Sequence, residues 1–191
     1  TRDNLKARLA YSTVSQLSYI VLGALLATQA SILGGILHIA MHAFAKITLF
    51  FGAGAILVAA HKTEISDMAG LGRAMPVTFG AFFIASLSMI GLPPFGGMWS
   101  KWYLAMGTLE AGQWLLLSVL LASSLLNIAY LLPVPVRAFF GKAVDGTIYT
   151  QVREAPASCL AAMIITSLAC LVLFFYPEPF YQLAMTVAGA K

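Results

Sequence analysis

Charge is what this chain has least of. Of its 191 residues, 9% are Asp, Glu, Lys or Arg, against 60% hydrophobic. Ordinary soluble domains carry roughly 25% charged residues, and a domain this poor in charge could hardly cover its surface with polar groups. Cysteine is almost missing too: Cys159 and Cys170 are the only two. On one predicted helix their spacing puts them about 16 Å apart, beyond the roughly 7 Å Cα limit for a disulfide, so small-residue packing is their expected role. There is no CxxC pair, iron–sulfur spacing, GxGxxG or phosphate-binding loop, and no cofactor is expected. No basic patch is interleaved with aromatics, so nucleic acid is not an expected partner. The net charge of +4 speaks first of loop topology in a chain this apolar. The opening TRDNLKARLAYS lacks the charged, apolar, small-residue succession of a signal peptide, and the chain reads as a fragment of a longer polypeptide.

What the chain does have is long apolar runs, and one of them organises the rest. The stretch from Ile36 to Ala53, ILHIAMHAFAKITLFFGA, is nearly all apolar but holds His38, His42 and Lys46 at spacings of four. On a helix such a spacing makes one slowly drifting polar stripe, about 12 Å long. Apolar residues continue from Ile32 to Ala60, enough for a long membrane span. A lysine near the centre of a span costs roughly 2.5–3.5 kcal/mol on insertion scales, so a functional role is the default reading.

Six apolar segments follow one another, and the expected fold is an all-α integral membrane protein with about six transmembrane segments in a single domain. The first, Leu9 to Ala30, carries Ser12, Thr13, Ser15, Gln16, Ser18 and Tyr19, a density that suits a helix facing other helices or water. Arg2, Lys6 and Arg8 precede it as a solvated flank. The second is the histidine–lysine helix. The loop after it holds Lys62, Glu64, Asp67 and Arg73, with Ser66 or Asp67 able to cap a short interfacial helix ended by Gly70 and Gly72. The third, Pro76 to Leu92, breaks at GLPPFGG, residues 91–97, where Gly91, Pro93, Pro94, Gly96 and Gly97 rule out a regular helix. Such a break survives in a membrane only where protein or water satisfies the freed backbone groups. The fourth, Met98 to Leu109, is too short to span alone, and Lys101 falls one turn inside it, near the positive end of its dipole. The fifth, Gln113 to Phe140, carries Ser123, Ser124, Asn127 and Tyr130 and a kinking pair, Pro133 and Pro135; interhelical hydrogen bonding is the plain reading of Asn127. The sixth, Ala157 to Tyr176, leads into a tail expected at the interface from Phe180 and Tyr181. With six crossings, Arg2, Lys6, Arg8, Lys62, Arg73 and Lys191 share one side, and Arg137, Lys142 and Arg153 the other; the positive-inside rule then makes the first side cytoplasmic, a margin that disappears if the short fourth segment does not cross.

Three readings of the polar stripe compete. Two histidines at i and i+4 can share a metal, but no glutamate stands between them and no third histidine lies in a span, so no metal is expected. They can also be buried polar packing. The third reading is a proton relay: histidine titrates in the working range, and lysine, unlike arginine, can release its proton. Snorkelling to the interface is the alternative for Lys46 and, more strongly, for Lys101 beside its break.

LKARLAYSTVSQLSYIVLG, then HIAMHAFAKITLFFGAGAI, then GLPPFGGMWSKWYL, in this order and spacing, resemble the proton-translocating antiporter-like family. Its members are the Mrp cation/proton antiporter subunits, the large membrane subunits of respiratory complex I and their relatives in membrane-bound hydrogenases. The resemblance covers about residues 3–140. It implies an inverted repeat of two helix bundles, each with a broken helix, of which residues 1–140 are the second; residues 141–191 are then a loop, a terminal span and an interfacial tail. It also implies a proton path through Lys46, His38, His42, Lys101 and Lys6. Lys46 matches the buried lysine, His38 and His42 the histidines before it, Lys101 the ionisable residue at the exit, and Lys6 the lysine of the DLKR-like segment. Here the aspartate comes one residue early, as Asp3-Asn4-Leu5-Lys6. The first bundle, with its glutamate–lysine pair, has no counterpart in this chain. SKWYL resembles the Mrp D-type subunit most. The implied function is therefore a proton-translocating subunit of a monovalent cation/proton antiporter in the inner cell membrane. The alternative is a proton-pumping membrane-arm subunit of a complex I-type oxidoreductase or hydrogenase, without a redox site of its own. Expected partners are other membrane subunits, lipid, protons and, in the antiporter reading, sodium.

Overall fold

A computed structural model describes residues 2–142 and 152–189, and among these the chain is helical throughout. Helix α1, Leu5–Leu26, starts at Asn4, whose side chain accepts from the Ala7 amide at 3.0 Å. Asparagine and aspartate serve this N-cap position equally well, which is why the displaced aspartate leaves the helix start intact. Asp3 instead receives the Ser66 amide and hydroxyl, at 3.2 and 2.6 Å. Helix α2, Gln29–Ala60, is capped by Thr28 and is 32 residues long, about 48 Å at 1.5 Å per residue. Two short 3-10 turns, Ile65–Met68 and Leu71–Arg73, occupy the loop after it; neither Ser66 nor Asp67 caps them, since the turn starts one residue earlier, from Glu64.

Helices α3, Pro76–Ile90, and α4, Gly97–Glu110, flank the GLPPFGG break. They run in succession along α2: Phe82 of α3 packs at Gly52, and Ser100 and Leu104 of α4 pack at Gly34. The third and fourth apolar segments are thus the two halves of one interrupted span. The fifth is α5, Trp114–Leu131, and α6, Pro133–Phe140, divided where Pro133 withholds its amide hydrogen. The sixth is α7, Ala157–Phe175, and the tail forms α8, Glu178–Val187. The buried Ala184 of α8 packs on Leu33, Leu37 and Met41 of α2. Among the described residues, four stretches are long and apolar enough to cross a membrane alone: α1, α2, α5 with α6, and α7.

Counting the interrupted span once changes the sidedness expected from six crossings. The Asp3–Ser66 contacts hold the start of α1 against the loop after α2. At the same end the Gly70 amide donates to Arg137 O at 3.0 Å, Arg73 Nε donates to Phe139 O at 3.4 Å, Gly141 lies against Ala69, and Glu154 accepts from the Val77 amide. Arg137, Lys142 and Arg153 therefore join Arg2, Lys6, Arg8, Lys62 and Arg73 at one end, not at the opposite one. Lys191 lies outside the described residues.

The surface is inverted relative to a soluble protein. Leu25, Leu115 and Phe175 are 79%, 75% and 70% exposed, while Gln16 and Asn127 are 0% and 1% exposed. Apolar side chains outside and amides inside are what a hydrocarbon solvent selects.

Candidate functional site

The polar stripe of α2 faces inward. Lys46 and His38 are buried and His42 is half-buried. An ammonium away from water needs acceptors, and Lys46 finds one on the polar face of α1: its Nζ donates to Ser12 Oγ at 2.7 Å. From Ser12 the contacts continue without a gap. Ser12 Oγ lies 2.8 Å from Tyr130 Oη, Tyr130 donates to Asn127 Oδ1 at 2.6 Å, and Gln16 Nε2 donates to the same oxygen at 3.1 Å. Gln16 Oε1 then meets His38 Nε2 at 3.1 Å, and His38 Nδ1 meets Ser100 Oγ at 2.9 Å. Three helices, α1, α2 and α5, thus link Lys46 to the start of α4. Sequence reasoning placed Ser12 and Gln16 on an interior face and gave Asn127 an interhelical bond, but it did not find the chain they make, nor Ser100.

Lys101 lies on the first turns of α4 and is buried. It turns back: Nζ donates to Ile90 O at 2.8 Å, one of the carbonyls left free where α3 stops. The negative end of the α3 dipole thereby faces an ammonium that the sequence placed only at the positive end of α4. The side chain crosses Gly91, whose φ of +89° and lack of Cβ are both needed, since a Cβ would lie 2.8 Å from Lys101 Cδ. The Lys101 ammonium is 5.3 Å from the Tyr19 ring centroid, and the same ring meets His38 edge-on at 5.3 Å. Tyr19 donates to Ser123 at 2.7 Å.

Helix α7 closes the break. The Gly96 amide donates to Cys170 O at 2.9 Å and Trp99 Nε1 to Phe174 O at 2.9 Å, so protein groups satisfy the interrupted backbone. His42 stacks on His38, with centroids 5.8 Å apart, but its Nε2 is buried without a partner. Lys6 stands apart: it is exposed on the first turn of α1 and does not join the buried groups. Among the described residues, no cluster of three or more His, Cys, Asp or Glu could hold a metal. A cleft of about 640 Å³, lined by Arg2, Arg8, Tyr11, Ser12, Ser15 and Tyr130, opens from the basic end onto the hydroxyl that receives Lys46.

Known proteins are similar to this chain in sequence and in fold. NADH-quinone oxidoreductase subunit N of Desulforudis audaxviator is 39% identical over 180 residues, covering 89% of this chain and 36% of that one. The D-type Na(+)/H(+) antiporter subunit of Alkalihalophilus pseudofirmus is 30% identical over 185 residues, covering 97% and 37%. A chain of the Mrp complex from Dietzia sp. DQ12-45-1b superposes with a TM-score of 0.86 at 25% identity, over 95% of this chain and 41% of that one. The chain therefore spans little more than a third of the length of these two curated relatives. The family description "NADH:quinone oxidoreductase/Mrp antiporter, TM" matches residues 1–127, and the chain belongs to that family of membrane proteins.

Proposed function

We propose that this chain is the proton-conducting half of an antiporter-like membrane subunit, moving protons between Lys46 and Lys101 through buried histidine, hydroxyl groups and water. One observation carries this reading. Two lysines are buried in the bundle interior, and an unbroken set of polar contacts leads from one to the residue beside the other. Structural glue alone would not require charged groups at both ends, because buried ammonium groups are costly and hydroxyls or amides would serve. The positive-inside rule assigns the basic end to the cytoplasm. On that assignment the cleft beside Arg2 and Arg8 lets water reach Ser12 and Lys46 from the cytoplasm, and Lys101 at the broken helix serves the opposite side.

The full-length subunit, reconstituted in vesicles at matched protein levels, tests the reading. Lys46→Ala should reduce proton-coupled transport at least ten-fold, and Lys46→Arg should also impair it, because arginine keeps its proton. Wild-type rates in both variants would sink the proposal.

The energy source divides two readings. SKWYL favours a monovalent cation/proton antiporter, in which sodium moves against protons. The higher identity to an oxidoreductase subunit, 39% against 30%, favours the membrane arm of a redox complex, where electron transfer in other subunits drives the same proton path. In both, further membrane subunits supply the first bundle's neighbours and the redox or cation site. Collapse of a pH gradient by added sodium in inverted vesicles supports the first; proton uptake driven by NADH and quinone supports the second.

A further inference from the structure

We propose that His38 exchanges protons through one ring nitrogen only, Nδ1, with Ser100 as the relay hydroxyl and Gln16 as the positioning residue that keeps Nε2 closed. The inference rests on the proton-conducting reading and deepens it.

The direction of every hydrogen bond in the chain follows from its charged end. A lysine ammonium only donates, so Ser12 accepts from Lys46 and turns its own hydrogen to Tyr130 Oη. Tyr130 then donates to Asn127 Oδ1. With that oxygen an acceptor, the Gln16 atom 3.1 Å from it is the amide nitrogen, and Gln16 presents Oε1 to His38. A reversed Gln16 would set two carbonyl oxygens against each other. Reversing Asn127 as well would place its amide on Tyr130 and send the tyrosine hydrogen to Ser12, which already accepts from Lys46, against the donor order that runs from Lys46 to Asn127 Oδ1. His38 Nε2 therefore carries a hydrogen, and the neutral ring leaves Nδ1 bare toward Ser100. Gln16, Asn127 and His38, which set the ring's orientation, are at most 3% exposed, while Ser12 and the half-buried Tyr130 line the cleft at the basic end.

The consequence is directional. An amide oxygen is far too weak a base to take the Nε2 proton, so Gln16 and Asn127 orient the ring but do not conduct. At the other nitrogen, Ser100 has two acceptors within reach, His38 Nδ1 at 2.9 Å and Gly97 O at 3.0 Å. When the Lys101 ammonium gives up a proton and becomes a neutral amine, an intervening water hands that proton on to Ser100 Oγ, which passes its own hydrogen to Nδ1. The products are an imidazolium and an intact hydroxyl, now turned to Gly97 O. The return step reverses both transfers, so no proton is gained or lost. A proton held on His38 leaves by the same nitrogen, back through Ser100 to a water on the side of His42, whose Nε2 lacks a protein partner, and not through the amides.

Nitrogen-15 NMR on the full-length subunit in vesicles, labelled at histidine, reads the tautomer directly, and His38→Asn identifies the signals. The expected wild-type result is a neutral ring protonated at Nε2. Gln16→Leu should admit the Nδ1-protonated tautomer, and Gln16→Glu, which keeps an acceptor, should restore the first. Ser100→Ala should keep the tautomer yet lower proton transport at least ten-fold, and Ser100→Thr should recover it. A wild-type ring protonated at Nδ1, or full transport in Ser100→Ala, overturns the proposal, and the first of these needs no variant to fold. If Lys46→Ala abolishes transport while either result appears, this inference alone has failed; if Lys46→Ala conducts normally, the reading beneath it has failed.

Discussion

At the scale of single residues, Asn127 shows how much one buried amide carries. Its Oδ1 accepts from both Tyr130 and Gln16, while its Nδ2 has no partner. Asn127→Leu would relieve that orphan but strip the buried Gln16 and the half-buried Tyr130 of their acceptor. Each such loss costs about 1–3 kcal/mol. Thermal unfolding in detergent should therefore start from a lower Tm in Asn127→Leu, and Asn127→Asp, which retains oxygens at the site, should lose less. Equal Tm values for wild type and Asn127→Leu would mean that the donors find water instead. The stripe of His38, His42 and Lys46 was legible in the sequence because spacing on one helix is a local property. The chain from Ser12 through Tyr130 to Gln16 was not, because it joins residues 118 and 111 positions apart, and only helix packing fixes which side chains meet. Lys6, a position matched by resemblance, lies exposed on the first turn of α1.

Among the elements, the interrupted span is the one whose geometry the site depends on. Prolines and glycines announce where a helix stops, so GLPPFGG could be read directly. They announce an interrupted helix with Lys101 just beyond the break, but not the partner along which it runs, which the packing of α3 and α4 on α2 supplies. Gly97 is the tightest point: a Cβ there would lie 1.9 Å from Ser88 O, a backbone atom that cannot yield without moving α3. Overpacking of this kind costs typically about 1–3 kcal/mol, occasionally more. Gly97→Ala should accordingly lower Tm and, by shifting α4, lengthen both the Lys101–Ile90 and His38–Ser100 contacts, so that transport falls further than stability alone accounts for. Gly54→Ala, where a Cβ would meet nothing within 4 Å, is the matched control and should leave both measurements near wild type.

For the whole molecule, charge is distributed along the membrane normal in a way that fixes orientation. Eight of the Lys and Arg side chains gather at the end formed by the start of α1, the loop after α2, and the segments around Arg137 and Glu154. Among the described residues only Lys46 and Lys101 lie elsewhere, and both are buried. The turns at the other end, around Thr28 and Gly112, hold Glu110 and no basic residue. A bias of this size is what the positive-inside rule responds to, since it counts lysine and arginine near span ends. The expected orientation puts Lys62 in the cytoplasm and Gln113 outside. Cysteine labelling in intact cells checks it, in a Cys159→Ser background because Cys159 is exposed. Gln113→Cys should react with a membrane-impermeant maleimide from outside, and Lys62→Cys only after permeabilisation. The opposite pattern would reverse the path, with Lys101 serving the cytoplasm and the Arg2–Arg8 cleft opening outward. Reaction at both positions from outside would mean that the interrupted span of α3 and α4 does not cross, and the assignment of Lys101 to the membrane interior would go with it.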